Sequence, residues 1–97
     1  MYTAGVWVVK KGREEDFVRR WQTSVDQQSL QYPGITFRLL RDVDNPQRFV
    51  SVGGAWRSAE QIAVARSDAS YQEAMAEVEK LLESGAVSTF ELAAEVS

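Results

Sequence analysis

Apolar residues recur along the chain at two different spacings, and these spacings predict the order of strands and helices. Residues 2–10 are rich in β-branched and aromatic side chains and read as a strand that ends before Gly12. A helix is predicted next, ending before the turn dipeptide Pro33-Gly34. Its large apolar residues recur at the three- and four-residue spacing of an amphipathic helix: Phe17, Val18, Trp21 and Val25.

The middle of the chain has the pattern of a β-hairpin. Ile35, Phe37 and Leu39 alternate with polar residues, as in a half-buried strand. Residues 42–48 contain Asp-Asn-Pro and are predicted to turn, and residues 49–56 resume as a strand. The two strands are therefore expected to pair.

Two capping-box spacings predict helices in the second half of the chain. Ser58 precedes Gln61 by three residues and opens a short helix to about residue 66, and Ser70 with Glu73 repeats the spacing. The apolar stripe of the second helix is predicted to continue to Leu82, with Gly85 just beyond its end. A last strand is expected where apolar residues alternate: Phe90, Leu92, Ala94 and Val96.

The predicted order is β-α-β-β-α-β, an α+β ferredoxin-like unit with an antiparallel sheet, in a single domain over residues 1–97. Both helices of such a unit cover one face of the sheet, so the other face lies open. Burial of its apolar side chains by a second copy would recover on the order of 10 kcal/mol, and we expect a homodimer through this face. The open set is Trp7, Val9, Leu40, Val50, Val52 and Trp56, or else Val6, Val8, Phe37, Leu39 and Phe49.

Composition narrows the chemistry that the chain can perform. Eleven basic against fourteen acidic residues give a net charge of −3, which argues against nucleic acid or an anionic membrane as a partner. The chain has no Cys and no His, so thiol nucleophiles, triad bases and the usual zinc and haem ligands are excluded. With no apolar run of membrane-spanning length and no signal-peptide pattern, a cytoplasmic protein is expected.

Five segments together resemble the antibiotic biosynthesis monooxygenase (ABM) domain, in its order along nearly the whole chain. They are residues 12–17, Pro33-Gly34 leading into residues 37–42, and residues 45–49, 56–60 and 67–71. The resemblance implies a dimeric α/β barrel in which two ferredoxin-like protomers join their sheets, with a pocket between sheet and helices in each. It also implies a cofactor-independent monooxygenase, an oxidoreductase that acts on an aromatic or quinol-type molecule. An electron-rich phenol can itself reduce dioxygen, so the protein need only orient it, stabilise its anion and exclude water.

Five residues are candidates for such a pocket. Trp56 resembles the pocket tryptophan of the polyketide-oxidising members, and Trp7 and Trp21 could stack on an aromatic ligand. Arg38 could bind a phenolate or carboxylate if it points into a cavity, and Tyr71 could orient a substrate oxygen. We take Trp56, Arg38 and Tyr71 as catalytic candidates. Packing is the alternative role of the aromatic residues, and surface ion pairing that of Arg38.

Two departures from the family pattern bear on activity. Val52 stands where the active members carry an Asn four residues before the tryptophan. The Asn, Trp and His of the haem-degrading members fall about on Gly5, Ala65 and Met75, so the resemblance implies neither haem nor another cofactor, and no metal site. Two alternatives to an oxygenase stay open: a non-catalytic dimeric barrel that binds a small hydrophobic ligand, and a non-redox enzyme on the same scaffold.

Overall fold

The computed structural model describes all 97 residues, as an antiparallel sheet with helices on one face. The elements follow one another in a ferredoxin-like order, with the second helical region split in two. They are β1 (Tyr2–Val9), α1 (Glu14–Gln31), β2 (Thr36–Arg41), β3 (Arg48–Gly54), α2 (Ala59–Ser67), α3 (Ala69–Glu79) and β4 (Leu82–Phe90). No helix combines the length and the apolar character needed to cross a bilayer.

The four strands lie in the order β2-β3-β1-β4, and every neighbouring pair is antiparallel. The predicted hairpin is the β2-β3 pair, with Phe37 opposite Gly53 and Arg41 opposite Phe49. Asp42 closes its turn by accepting hydrogen bonds from the backbone N–H groups of Asp44 and Asn45. The predicted ferredoxin-like topology is therefore confirmed.

Local signals set where the helices begin. Gly12 and Gly34 have φ of 88° and 97°, left-handed values that favour glycine, at the two ends of α1. Ser58 caps α2 as predicted, since its hydroxyl accepts from the Gln61 N–H at 3.1 Å. The capping box predicted at Ser70 placed the N-cap of α3 two residues too late. Asp68 caps α3, because its carboxylate accepts from the N–H groups of Ser70 and Tyr71. The hydrogen bond from the Ser70 hydroxyl, together with these two N–H groups, holds the pKa of Asp68 below its usual value.

The core between sheet and helices consists of two clusters. The larger joins the sheet to α1 and α3: Trp7, Val9, Phe17, Phe49, Val78 and Leu81. The Phe17 ring lies 4.9 Å from that of Phe49, centroid to centroid, and so fixes α1 on the sheet. The smaller cluster, Trp56, Ile62 and Ala65, seals the other end of the sheet under α2.

Directly opposed residues of antiparallel strands point to the same face of the sheet, so the strand register shows which residues lie on the outer face. Val6 pairs with Val50, and Val50 pairs with Leu40, in a row that points away from the helices. Both predicted sets for the open face were therefore mixed and wrong. Trp7, Val9, Phe37, Leu39 and Phe49 lie on the helix side, and Val6, Val8, Leu40, Val50 and Val52 lie on the outer side.

The end of the chain differs most from the prediction. The second predicted helix stops at Glu79, and Gly85 lies within β4 opposite Trp7 instead of beyond a helix end. The last strand ends at Phe90, so residues 91–97 extend past the sheet and are exposed. β4 pairs with the whole of β1, from Leu82 opposite Val9 to Phe90 opposite Tyr2, and this pairing places Gly85 opposite Trp7. A Cβ on Gly85 would approach the Trp7 ring to 2.8 Å.

Candidate functional site

A cavity lies between the sheet and the helices, at the point where the two core clusters meet. Trp7 borders it from the larger cluster, and Trp56, Ile62 and Ala65 border it from the smaller one. It exists because adjacent inward-facing positions of β1 and β3 carry small residues: Thr3, Gly5, Ser51 and Gly53. Its volume is about 60 Å³, which admits a few water molecules, whereas sites for drug-sized ligands occupy roughly 300–1,000 Å³.

Trp56 forms the firmest part of this lining. The residue is only 4% exposed, and its ring lies 5.3 Å from that of Tyr32 and 5.9 Å from that of Phe37. Its indole N–H donates to the Thr3 hydroxyl at 3.3 Å. β3 was predicted to reach Trp56 but ends at Gly54. Trp56 is held instead by two backbone hydrogen bonds with Met1, one in each direction.

The side chain of Trp7, on β1, is also fixed by a hydrogen bond. Its indole N–H donates to the Ser51 hydroxyl at 2.9 Å, so the indole N–H groups of Trp7 and Trp56 are both satisfied by hydroxyls of strand residues. The Trp7 ring lies directly over the backbone of Gly5, where it leaves no space for a side chain. A Cβ on Gly5 would come within 2.5 Å of it.

The structure brings four of the five predicted site residues to this cavity: Trp7, Trp21, Trp56 and Tyr71. Arg38 is not among them, because it lies exposed on the outer face of β2, opposite Val52. Val52, at the position of the family's Asn, is paired with Ala4 on that same outer face. The inward polar group next to it on β3 is Ser51.

Sequence reasoning missed Arg66, the only charged residue on the cavity. Its guanidinium donates to the Thr89 hydroxyl at 2.9 Å and to the Ser88 carbonyl at 3.3 Å, so β4 fixes its position. Burial raises the pKa of the nearby Tyr71 hydroxyl, and the Arg66 charge opposes that rise in part. Tyr71 therefore stays protonated at neutral pH and acts there as a hydrogen-bond donor, not as a base.

Gln28 was also missed, although the sequence contained a signal for it. It falls on the apolar stripe of α1, one turn after Ser24 and Val25, where a polar residue is out of pattern. Gln28 and Ser24 are the buried polar residues of the chain, and both line the cavity. The Ser24 hydroxyl donates to the Trp21 carbonyl at 2.8 Å.

The lining carries no carboxylate, and the chain has no cluster of three or more Asp or Glu side chains that could hold a metal ion. A larger hollow, of about 540 Å³, lies between the exposed sides of α1 and α3. Most of its charged groups already pair with one another, Arg19 with Asp16 and Arg20 with Glu77, as on an ordinary solvated surface. The cavity under the helices is thus the better candidate site.

Solved structures of similar fold include the oxygenase SnoaB from Streptomyces nogalater, described as cofactor-independent. It is 14% identical, with 98% of this chain and 94% of that chain covered and a TM-score of 0.85. An antibiotic biosynthesis monooxygenase is 13% identical, with coverages of 96% and 98% and a TM-score of 0.79. A Shewanella oneidensis protein is 18% identical, with coverages of 92% and 86% and a TM-score of 0.78. At these identities the likeness shows the fold alone.

A search of the curated proteins gave no significant match. The family model described as antibiotic biosynthesis monooxygenase matches residues 2–90, which covers every strand and helix of the structure. The chain therefore belongs to the antibiotic biosynthesis monooxygenase family.

Proposed function

We propose that the protein binds a small phenolic or quinol-type aromatic molecule between sheet and helices and oxygenates it with dioxygen, without a cofactor. The observation that carries this proposal is the single positive charge, that of Arg66, on a cavity otherwise lined by apolar, aromatic and neutral polar side chains. SnoaB, whose fold is similar, is described as a cofactor-independent oxygenase. Membership of the ABM family supports the same class of reaction.

The lining suits an aromatic molecule that becomes an anion. Trp21, Trp56 and Phe37 offer flat apolar surfaces for a ring. Arg66 stabilises a phenolate oxygen and lowers the pKa of a bound phenol, while Tyr71 donates a hydrogen bond. No carboxylate on the lining opposes the negative charge. A ligand enters by rotation of the half-buried side chains that border the cavity: Trp21, Tyr71 and Met75.

The reaction balances without any further reductant. A quinol and dioxygen give a hydroxylated quinone and one water molecule. The quinol supplies two electrons as it becomes a quinone and two more as a ring C–H becomes C–OH, and dioxygen accepts all four. The phenol proton passes to water, because the lining holds no base. The protein's part is to hold the ring, stabilise the anion and exclude bulk water.

Two observations favour the alternative of a non-catalytic barrel that binds a small hydrophobic ligand. The cavity volume of about 60 Å³ is below that of a ring-binding site, and no acid–base group with a pKa near neutrality lines it. The two functions differ in turnover, since a binder takes up the aromatic molecule but consumes no dioxygen.

Oxygen uptake with a panel of anthrones, quinols and flavonoid-like phenols tests the proposal. We expect at least one compound to produce uptake in proportion to protein, with one dioxygen consumed per molecule of substrate and no hydrogen peroxide released. A chain unfolded in urea serves as the control for autoxidation. Absence of protein-dependent uptake across the panel, together with measurable binding, would replace the oxygenase with the non-catalytic barrel.

We further propose that the protein is a homodimer through the outer face of the sheet. An apolar row crosses that face on all four strands: Leu40, Val50, Val6 and Ala86. The large side chains Val6, Leu40, Val52 and Phe90 are 38–55% exposed there, and a contiguous exposed apolar patch of this kind is typical of an interaction surface. A second copy of the chain matches this surface, because two-fold symmetry places the apolar row of one copy against the identical row of the other.

Light scattering at micromolar concentration should give twice the mass of one chain, and Val6→Glu should give the mass of one chain. The substitution places a charge at the centre of the apolar row, where pairing of two copies would bury it without a partner. Val64→Glu is the matched control, because Val64 is 62% exposed on α2, away from the sheet. A monomeric parent protein, or a Val6→Glu variant that stays dimeric, would contradict this interface.

A further inference from the structure

The side chain of Gln28 makes no hydrogen bond within the protein, although the residue is about nine-tenths buried. Gln28 is 9% exposed, and no hydrogen bond of the chain involves its side chain. Its amide nevertheless borders the cavity, as one of the polar groups of the lining. An amide on the apolar face of α1 that has no partner in the protein is free to bond to whatever occupies the cavity, and withdrawing it from water without such a partner is unfavourable.

The hydroxyl of Tyr71 is a second free donor on the same lining, and no hydrogen bond of the chain involves it. α1 and α3 run antiparallel, since Arg20 pairs with Glu77 near one end and Gln31 lies close enough to Asp68 near the other to help lower its pKa. Gln28 and Tyr71 both fall between these two contacts, and both line the cavity. Gln28 and Tyr71 make no hydrogen bond to each other, so both remain free to donate to a ligand in the cavity.

We infer that Gln28 and Tyr71 together bind one oxygen of the ligand, each donating a hydrogen bond to it. This inference rests on the proposed function, because it assigns the residues that recognise the ligand in the same cavity. Both groups can donate to an acceptor oxygen, such as the carbonyl of a quinone or the oxygen of a phenolate. Arg66 contributes charge from a distance, while the two donors supply direction.

The first test compares two ligands that share a ring system, 1,4-naphthoquinone and naphthalene, by equilibrium dialysis. We expect the parent protein to bind the quinone at least about tenfold more tightly, since only the quinone satisfies the two donors. Gln28→Met and Tyr71→Phe should each weaken quinone binding about three- to tenfold and change naphthalene binding less than about twofold. The double variant should bind both compounds equally.

Gln27→Met is the matched control, because Gln27 is exposed on the neighbouring position of α1 and should leave both affinities unchanged. Equal losses for both ligands in the variants would mean that the two residues only pack. A parent protein that does not prefer the quinone would equally overturn the inference.

The second test needs no ligand. If the Gln28 amide is a free donor, Gln28→Met should raise the melting temperature by about 4–8 °C, because an apolar side chain of similar size replaces an amide that has no partner in the protein. A lower melting temperature would mean that the amide stabilises the fold, which overturns the inference. Failure of the oxygenase proposal is distinguishable, because absent oxygen uptake leaves a preference for the quinone, and its loss in Gln28→Met, intact.

Discussion

Arg66→Gln should lower kcat/KM for quinol oxygenation by about 100-fold, whereas Arg38→Gln should change it less than about twofold. Loss of one preorganised group that stabilises an oxyanion typically costs 10²–10³ in rate, or about 3–4 kcal/mol. Arg66 is the only positive charge on the cavity, while Arg38 lies on the opposite face of the sheet. The measurement is steady-state oxygen uptake with whichever quinol is turned over fastest.

Controls separate the charge of Arg66 from its structural contacts. Arg66 also ties α2 to β4 through Thr89, so Thr89→Val should lose one hydrogen bond yet keep most of the rate. Arg66→Lys should recover part of the rate, since it keeps the charge. Binding of 2-hydroxy-1,4-naphthoquinone, an anion at neutral pH, should weaken in Arg66→Gln even without turnover. If Arg38→Gln were the slower variant, the assignment of the charge to Arg66 would be wrong.

Trp56→Ala should lower the free energy of unfolding by about 3–5 kcal/mol, the range for removal of a buried tryptophan. Two aromatic rings, of Tyr32 and Phe37, pack on the indole, and the hydroxyl of Thr3 loses its donor. The void would open directly into the existing cavity, so the surrounding core could not collapse to fill it. Urea denaturation, with the slope held common to both proteins, measures the difference.

Two variants bracket that result. Trp56→Phe keeps a ring between Tyr32 and Phe37 and should cost about 1–2 kcal/mol, mainly in lost contacts and one hydrogen bond. Trp21→Ala should cost less than Trp56→Ala, since Trp21 is only partly buried. A destabilisation by Trp56→Ala no larger than that by Trp21→Ala would show that Trp56 does not anchor this end of the core.

Elements with a strong local pattern were the predictable part of the fold. α1 could be predicted because Phe17 and Val25 repeat at helical spacing and both become buried. The start of α2 could be predicted because a serine cap involves only neighbours in sequence. The boundary between α3 and β4 could not, since the apolar pair Leu81 and Leu82 fits either a helix or a strand.

The candidate site was predictable only in its aromatic part. Large aromatic side chains are candidates for ligand binding at any position in a sequence, and Trp56 and Tyr71 do border the cavity. Whether Arg38 or Arg66 borders the cavity was not predictable. Arg38 follows Phe37 on a strand, and a shift of the register by one residue would turn its side chain to the other face of the sheet. Arg66 ends a helix whose local pattern does not say that β4 will lie beside it.

The order of elements, their helical or extended character and membership of a ferredoxin-like fold were determined by the sequence alone, because periodicity and capping act between residues a few positions apart. The direction of each strand's apolar face, the cavity and its charge were decided only in the tertiary structure. Those features depend on residues far apart in the chain that strand pairing and helix packing bring together, such as Thr3 with Gly53 and Gln28 with Tyr71.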